Sequence, residues 1–144
     1  MTMKQLSIFV ENKPGAMCAM TTVLAEHGVD MRALSLAETK DFGIVRIIAD
    51  NVYQATTVLK DAGYVHSLTT VVCVEIPDEP GGLNRVLTVL AEGGVNVEYM
   101  YAFLGGKKAH SAYMIFRVED AAAADLALTG HGLRTVGQEE IAQL

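Results

Sequence analysis

The sequence predicts an α+β protein built from two consecutive copies of a βαββαβ unit. The pair Pro14-Gly15 recurs sixty-six residues later as Pro80-Gly81. Each pair follows a short alternating apolar run and opens an apolar pattern of helical spacing. At the same offset, residues 4–38 and 70–104 are identical at nine of thirty-five positions. The sequence therefore contains an internal repeat of one unit, and we expect two domains, residues 1–69 and 70–144.

The first copy begins with a strand and a helix that are joined by a tight turn. Residues 4–11 alternate between apolar and other side chains, as in a strand with one face on a core. Pro14 ends the strand because it has no amide hydrogen to donate, and Gly15 allows the chain to turn sharply. From Ala16 the apolar residues repeat about every 3.6 positions, and Gly28 is a natural end for this helix.

The remainder of the first copy predicts two strands, a second helix and a short fourth strand. The second strand spans residues 30–38, and the third spans residues 44–49 after a turn. Asp50 or Asn51 is a suitable N-cap for a helix that runs toward Gly63. The fourth strand covers about residues 64–68.

The second copy repeats this order from about Val71. The hairpin between its second and third strands, residues 104–110, carries about three extra residues, so that Gly132 corresponds to Gly63. Residues 137–144 form a tail without a firm assignment. Each unit predicts a four-stranded antiparallel sheet with two helices on one face, which is the ferredoxin-like arrangement.

Apolar residues also recur on the sheet face opposite the helices. An antiparallel sheet that faces water usually carries polar residues on that face, so this pattern predicts that both faces are covered. We therefore expect a homodimer or a larger assembly. The residues concerned are Phe9, Ile44 and Ile48 in the first copy and Met100, Tyr113 and Ile115 in the second.

Composition and motifs argue against several functional classes. The formal charge of −6 and the isoelectric point near 5.1 disfavour nucleic acid as a partner, since its binders carry clustered basic residues. No stretch approaches the roughly 20 apolar residues of a membrane span, and no secretory signal is visible. Cys18 and Cys73 lie in no motif, so we expect free thiols in a cytoplasmic protein. The four histidines share no metal-ligand spacing, and we expect neither a metal nor a cofactor.

The repeated unit resembles the ACT domain. The resemblance rests on the Pro-Gly turn after strand one and on a helix that ends in Gly28-Val29-Asp30 or Gly94-Val95-Asn96, where strand two begins. ACT domains are modules that sense small molecules, most often free amino acids, in enzymes and regulators of amino-acid metabolism. Two copies side by side are similar to the stand-alone tandem ACT proteins, which are often likened to the small regulatory subunit of acetolactate synthase.

The two turns have binding chemistry of their own. A turn that ends a strand and opens a helix presents free backbone amides at the positive end of the helix dipole, which suits a carboxylate. Asp30 can pair with an ammonium group, and Asn96 can donate or accept a hydrogen bond. The alternative is that the two Pro-Gly pairs, Asp30 and Asn96 have a structural role only, in forming turns of the backbone, and bind no ligand. The resemblance implies a ligand between one unit's turn and strand two of its partner unit, on residues Asn12, Pro14, Gly15, Ala16, Met17, Asp30, Glu79, Pro80, Gly81, Gly82, Leu83 and Asn96.

The sequence therefore favours a sensor that binds a free amino acid between ACT-like units and has no catalysis of its own. The alternative is the dissociable regulatory subunit of an amino-acid biosynthetic enzyme, such as acetolactate synthase. A third hypothesis, from a different class, is a small acyl- or phosphoryl-transfer enzyme. Residues 104–108 superficially resemble a phosphate loop, but they lack the G-x-x-x-x-G-K-[ST] pattern and fall in a predicted hairpin.

Overall fold

The chain folds into two compact α+β units, as seen in a computed structural model that describes residues 1–103 and 106–144. The first unit comprises residues 4–69, and the second comprises residues 70–144 together with Met1–Met3. Each unit contains the predicted βαββαβ order with antiparallel strands. Residues 104 and 105, which open the predicted hairpin insertion, lie outside the described residues.

In the first unit the strands follow the sheet order β2-β3-β1, and the start of β4 lies beside β1. Both helices pack on one face of this sheet. The core contains Leu6 and Ile8 from β1, Leu24 from α1 and Leu59 from α2, all buried. Burying one such side chain contributes about 1.5–3 kcal/mol. The elements are β1 (Met3–Glu11), α1 (Ala16–Glu26), β2 (Met31–Glu38), β3 (Phe42–Ala49), α2 (Val52–Asp61) and β4 (His66–Pro77).

In the second unit the order is β5-β6-β4-β7, and two helices again pack on one face of the sheet. The strand β7 closes the unit, and the tail left open by the sequence contains the short helix α5, whose Ile141 is fully buried. The elements after β4 are α3 (Gly82–Glu92), β5 (Val97–Ala102), β6 (Ser111–Val118), α4 (Ala121–Gly130), β7 (Arg134–Val136) and α5 (Gln138–Ile141).

Strand β4 is one continuous strand, whereas the sequence pattern suggested two strands separated near residues 69–70. The reason is local, since neither Gly nor Pro interrupts the run from His66 to Ile76, and Thr69 to Val72 are all β-branched. Its first residues complete the sheet of the first unit, and its later residues pair with β6 and β7.

One prediction for the sheet face opposite the helices is wrong. Met100 packs against the helix-side core of the second unit and lies across from the buried Phe116. The ladder between β5 and β6 shifts register between Val97 and Tyr99, and such an irregularity changes which side chains point to which face. Tyr113 and Ile115 are buried outside the helix-side core cluster.

Candidate functional site

Both Pro-Gly pairs form the same tight turn between a strand and a helix. In the first turn the Ala16 amide donates to the Lys13 carbonyl at 3.3 Å, and in the second the Gly82 amide repeats this bond at 3.1 Å. Gly15 has φ 83° and Gly81 has φ 88°. Proline followed by a residue with positive φ is typical of a type II turn, in which that residue is usually glycine.

The helices that follow these turns begin without a side-chain cap. The first helical amide is used inside each turn, but the next two have no acceptor within the helix. These amides belong to Met17 and Cys18 in α1 and to Leu83 and Asn84 in α3. They lie at the positive end of each helix, where an anion is stabilised.

Each turn is tied to the hairpin that joins the two following strands of its own unit. The Asn12 amide donates to the Asp41 carbonyl at 3.1 Å, and the Asn12 side-chain amide donates to the Thr39 carbonyl at 3.2 Å. In the second unit the Asp78 amide donates to the His110 carbonyl at 2.8 Å. The side chain of Asn12 therefore holds the first turn against its hairpin.

Glycine is required at position 82 by the space around it, whereas the equivalent position in the first copy holds Ala16. A Cβ atom at Gly82 would lie 2.2 Å from the Pro77 carbonyl oxygen, which is too close for any side chain. Ala16 carries a Cβ at the corresponding position. The second turn therefore packs more closely against the end of its strand than the first.

Asp30 and Asn96 follow the far ends of α1 and α3. Helix α1 has eleven residues and so spans about 16 Å between the first turn and Asp30. The strand pairing agrees, because Phe42 lies opposite Glu11 at one end of β3 and Ala49 lies opposite Met31 at the other. Within one unit, the structure keeps the turn and the strand-two residue apart.

Asp30 already has partners in its own unit. Its carboxylate accepts a hydrogen bond from Arg32 at 3.0 Å, and its amide donates to the Asp50 side chain at 3.0 Å. The Asp30 carboxylate is largely exposed, so its ion pair is worth little and can be exchanged for another cation. Asn96 is exposed at the start of β5.

A cleft of about 340 Å³ lies beside the first turn, and we call it the turn cleft. Its lining comes from the end of β1, the start of α1 and residues 63–65. Glu11 and Lys13 form an ion pair of 2.9 Å among the lining residues, and the hydrogen bond and charge of Glu11 raise the pKa of Lys13. Sequence reasoning missed Lys13 because only the Pro-Gly pair repeats. The side chains that line the turn cleft include those of Phe9, Glu11, Lys13, Ala16, Ala19 and Val65.

At the corresponding position the second unit holds a cluster of charged groups, which we call the Glu75 cluster. Glu75 stands sixty-six residues after Phe9, at the equivalent position of the repeat. Arg134 stands sixty-nine residues after Val65 and is equivalent to it, because the hairpin of the second copy carries about three extra residues. The Glu75 carboxylate is 2.7 Å from Arg134 and 2.6 Å from Lys108, and it accepts a hydrogen bond from Ser111 at 2.9 Å. Arg134 also contacts Glu140.

The ionisation of this cluster follows from its contacts. Burial by itself raises the pKa of Glu75, but the hydrogen bonds from Lys108, Arg134 and Ser111 outweigh it and hold the pKa below its usual range. Burial raises the pKa of the neighbouring Tyr113, and the negative charge of Glu75 raises it further. The Tyr113 hydroxyl is buried and has no hydrogen-bond partner among the residues that the structure describes.

The two cysteines are free thiols, as expected. Cys18 is exposed, and burial raises the pKa of Cys73 to about 12, so Cys73 stays protonated at neutral pH. Within residues 1–103 and 106–144, no three His, Cys, Asp or Glu side chains group in a way that could hold a metal ion. None of the helices described has the length and apolar character needed to cross a membrane.

Comparison with known families settles what the repeated unit is. A model described as an ACT domain pair matches residues 1–144. The chain belongs to this family of ACT domain pairs. The resemblance carried by the two Pro-Gly turns and the Gly-Val-Asp and Gly-Val-Asn motifs is thereby confirmed.

Solved structures similar to this ACT domain pair include a protein from Bacteroides thetaiotaomicron, with 34% identity, a TM-score of 0.92 and coverage of 100% of this chain and 98% of that one. The ligand-free regulatory subunit of aspartate kinase from Thermus thermophilus shares the fold at 18% identity, with a TM-score of 0.65 and coverage of 88% and 91%. The corresponding subunit from Thermus flavus has 17% identity, a TM-score of 0.59 and coverage of 88% and 90%. In a comparison with curated proteins, no sequence matches this chain.

Proposed function

We propose that this ACT domain pair is a regulatory sensor that binds a free amino acid and has no catalytic activity of its own. The observation that carries the proposal is the pair of uncapped helix starts behind two type II turns. Met17 and Cys18, and likewise Leu83 and Asn84, present amides without intrahelical acceptors to a ligand carboxylate.

The ammonium group of the ligand needs an acceptor, and Asp30 or Asn96 supplies it in this proposal. Each of them lies far from the turn of its own unit, because a helix of eleven residues separates the two. The Asp30 carboxylate is largely exposed and forms an ion pair with Arg32, which an incoming ammonium group can replace. The proposed site keeps the predicted residues of the two turns and of the starts of β2 and β5.

The chemistry of the described residues supports binding over catalysis. The buried Cys73 thiol has a pKa of about 12, so it supplies no thiolate nucleophile at neutral pH. The low pKa of Glu75 keeps this carboxylate ionised and engaged with Lys108 and Arg134, which suits a structural role better than a general acid.

A thermal-shift screen of the full chain against the twenty amino acids tests the proposal. A ligand at 100 times its dissociation constant adds about 2.7 kcal/mol to the free energy of unfolding and raises the melting temperature. Calorimetry on each hit then gives the affinity and the stoichiometry. If no amino acid raises the melting temperature and none binds in calorimetry, the proposed function is wrong.

A further inference from the structure

We infer that the two turns are not equivalent: the amino acid binds at the turn cleft of the first unit alone, and it carries an apolar side chain. This inference rests on the proposed function, and it names the class of ligand and the copy of the turn that binds it. Four features carry it: the cleft, its apolar walls, the ion pair beside the turn and the Glu75 cluster in the other copy.

The walls of the turn cleft are apolar although they face solvent. Phe9 is 43% exposed and Val65 is 67% exposed, and the exposed Ala19 lines the same cleft from α1. A ligand side chain that covered these atoms would remove apolar surface from water on both partners, which favours binding. The cleft volume of about 340 Å³ lies at the small end of the range for ligand pockets, as suits a single amino acid.

The charges beside this cleft complement a zwitterion. Lys13 and Glu11 are both exposed and lie 2.9 Å apart. A free amino acid carries one carboxylate and one ammonium group, so it can pair its carboxylate with Lys13. Glu11 then accepts its ammonium group in place of Asp30 or Asn96. The helix that begins at Ala16 adds the amides of Met17 and Cys18 on the carboxylate side. Because the exposed Lys13–Glu11 pair is itself worth little, rearranging it costs little.

The second copy carries different side chains at these positions. Glu75 and Arg134 stand where the first copy has Phe9 and Val65, and they bind each other and Lys108. Glu79 stands where the first copy has Lys13, so its carboxylate repels that of an amino acid. Arg85 stands where the first copy has Ala19. The second copy therefore lacks the apolar walls and the cation at the position of Lys13, and Glu75 already engages Arg134 and Lys108.

The test fills the cleft and compares the result with the same change elsewhere on the same helix. Ala19→Trp places a large side chain in the turn cleft, whereas Ala25→Trp makes the same change at an exposed position near the other end of α1. Calorimetry with the best apolar hit of the screen is expected to show at least about a 10-fold loss of affinity for Ala19→Trp. Wild-type affinity is expected for Ala25→Trp and for Arg85→Trp in the second unit.

A second pair of variants tests the charge. Lys13→Glu gives the first turn the residue type of the second, and it should weaken binding by roughly 10-fold or more, as expected for a lost charge-assisted hydrogen bond. Lys4→Glu changes the net charge equally at the exposed start of β1, at the opposite end of this strand from Glu11, and should leave the affinity unchanged. Circular dichroism and melting temperature show whether each variant is folded.

The outcomes separate this inference from the function on which it rests. One apolar amino acid per chain, weakened by Ala19→Trp and Lys13→Glu only, supports the inference. Two ligands per chain, a hit list of polar amino acids alone, or wild-type affinity in folded Ala19→Trp overturns it while the sensor function stands. If no amino acid binds the wild-type chain, the proposed function fails first and the inference falls with it.

Discussion

Gly15 and Gly81 are the residues on which the two turns depend most directly. Their φ angles of 83° and 88° lie in the left-handed region, and nothing lies within 4 Å of a Cβ atom built at either position. A side chain there meets no neighbour, so its cost is conformational. A valine at these positions would weaken folding as well as block a ligand, because β-branched residues tolerate positive φ worst.

Gly15→Ala is therefore expected to lower the free energy of unfolding by about 1–2 kcal/mol. Gly130→Ala is the matched control, since Gly130 ends α4 without a positive φ and its Cβ site is open. That change should leave the stability unchanged or raise it by up to about 1 kcal/mol. Urea denaturation measures the free energy of unfolding of both variants. If the two substitutions changed it equally, the left-handed conformation of Gly15 would be contradicted.

The buried hydroxyl of Tyr113 affects the stability of the second unit. This hydroxyl lacks a hydrogen-bond partner among the described residues, and an unsatisfied buried hydroxyl costs about 1–3 kcal/mol. Tyr113→Phe removes that cost and keeps the ring that packs on Phe103. We expect the free energy of unfolding to stay the same or to rise. A loss of more than about 1 kcal/mol in urea denaturation would show that the hydroxyl is paired.

Glu75 gives the stability of the second unit a dependence on pH. Its pKa is lowered in the folded state, so its contribution is fully present above the unfolded pKa of about 4.3 and is lost as the pH falls through the lower folded value. In Glu75→Gln the part of the decrease in unfolding free energy at low pH that comes from Glu75 should disappear. The free energy of unfolding at pH 7 should be lower than in the wild type by about 1–3 kcal/mol. Denaturation of both proteins between pH 7 and pH 3 is the measurement. Parallel stability curves would contradict the role of the Glu75 cluster.

At the scale of elements, the four long helices begin in two different ways. Asn51 caps α2 by accepting a hydrogen bond from the Gln54 amide at 3.1 Å, and Asp120 caps α4 in the same way through the Ala123 amide at 3.0 Å. Helices α1 and α3 begin at a glycine with no side-chain cap. The uncapped starts are those behind the Pro-Gly turns, and at α1 the proposed ligand carboxylate takes the place of a cap.

Removal of a cap should therefore affect the stability of the protein but not its ligand affinity. Asn51→Ala is expected to cost about 1 kcal/mol of unfolding free energy, and Asp120→Ala a similar amount. Both should bind the amino acid identified in the screen with wild-type affinity, provided that they are folded at the temperature used. Calorimetry and urea denaturation on the same samples separate the two effects. A loss of affinity in Asn51→Ala would place the site at α2.

For the whole molecule, we expect a homodimer or a larger assembly. The first unit leaves several large apolar side chains in water, among them Leu36 and Phe42, each 54% exposed. Sedimentation at tens of micromolar should show a dimer, and Phe42→Ser should shift it toward the monomer if this surface is buried between chains. Tyr53→Ser, at an even more exposed aromatic residue on α2, is the control. A wild-type monomer at this concentration would remove the expectation.

The sequence by itself determined the repeat, the order of the elements and both turns, and it narrowed the cap of α2 to Asp50 or Asn51. These features depend on residues close together in the chain. Pro14 and Gly15 make a turn through their own backbone preferences, and the apolar period of a helix or strand is read along one segment. The Gly-Val-Asp and Gly-Val-Asn motifs likewise lie in one segment each, so the family was also readable from the sequence.

Only the tertiary structure decided which of these segments come together. It turned Met100 toward the helix-side core through a shift of strand register, since a shift of one residue moves side chains to the other face. It also separated Asp30 from the turn of its own unit by the length of α1. The turn cleft and the Glu75 cluster bring together residues more than fifty positions apart, such as Phe9 with Val65 and Glu75 with Arg134. Such contacts depend on the pairing of distant strands, which no local pattern encodes.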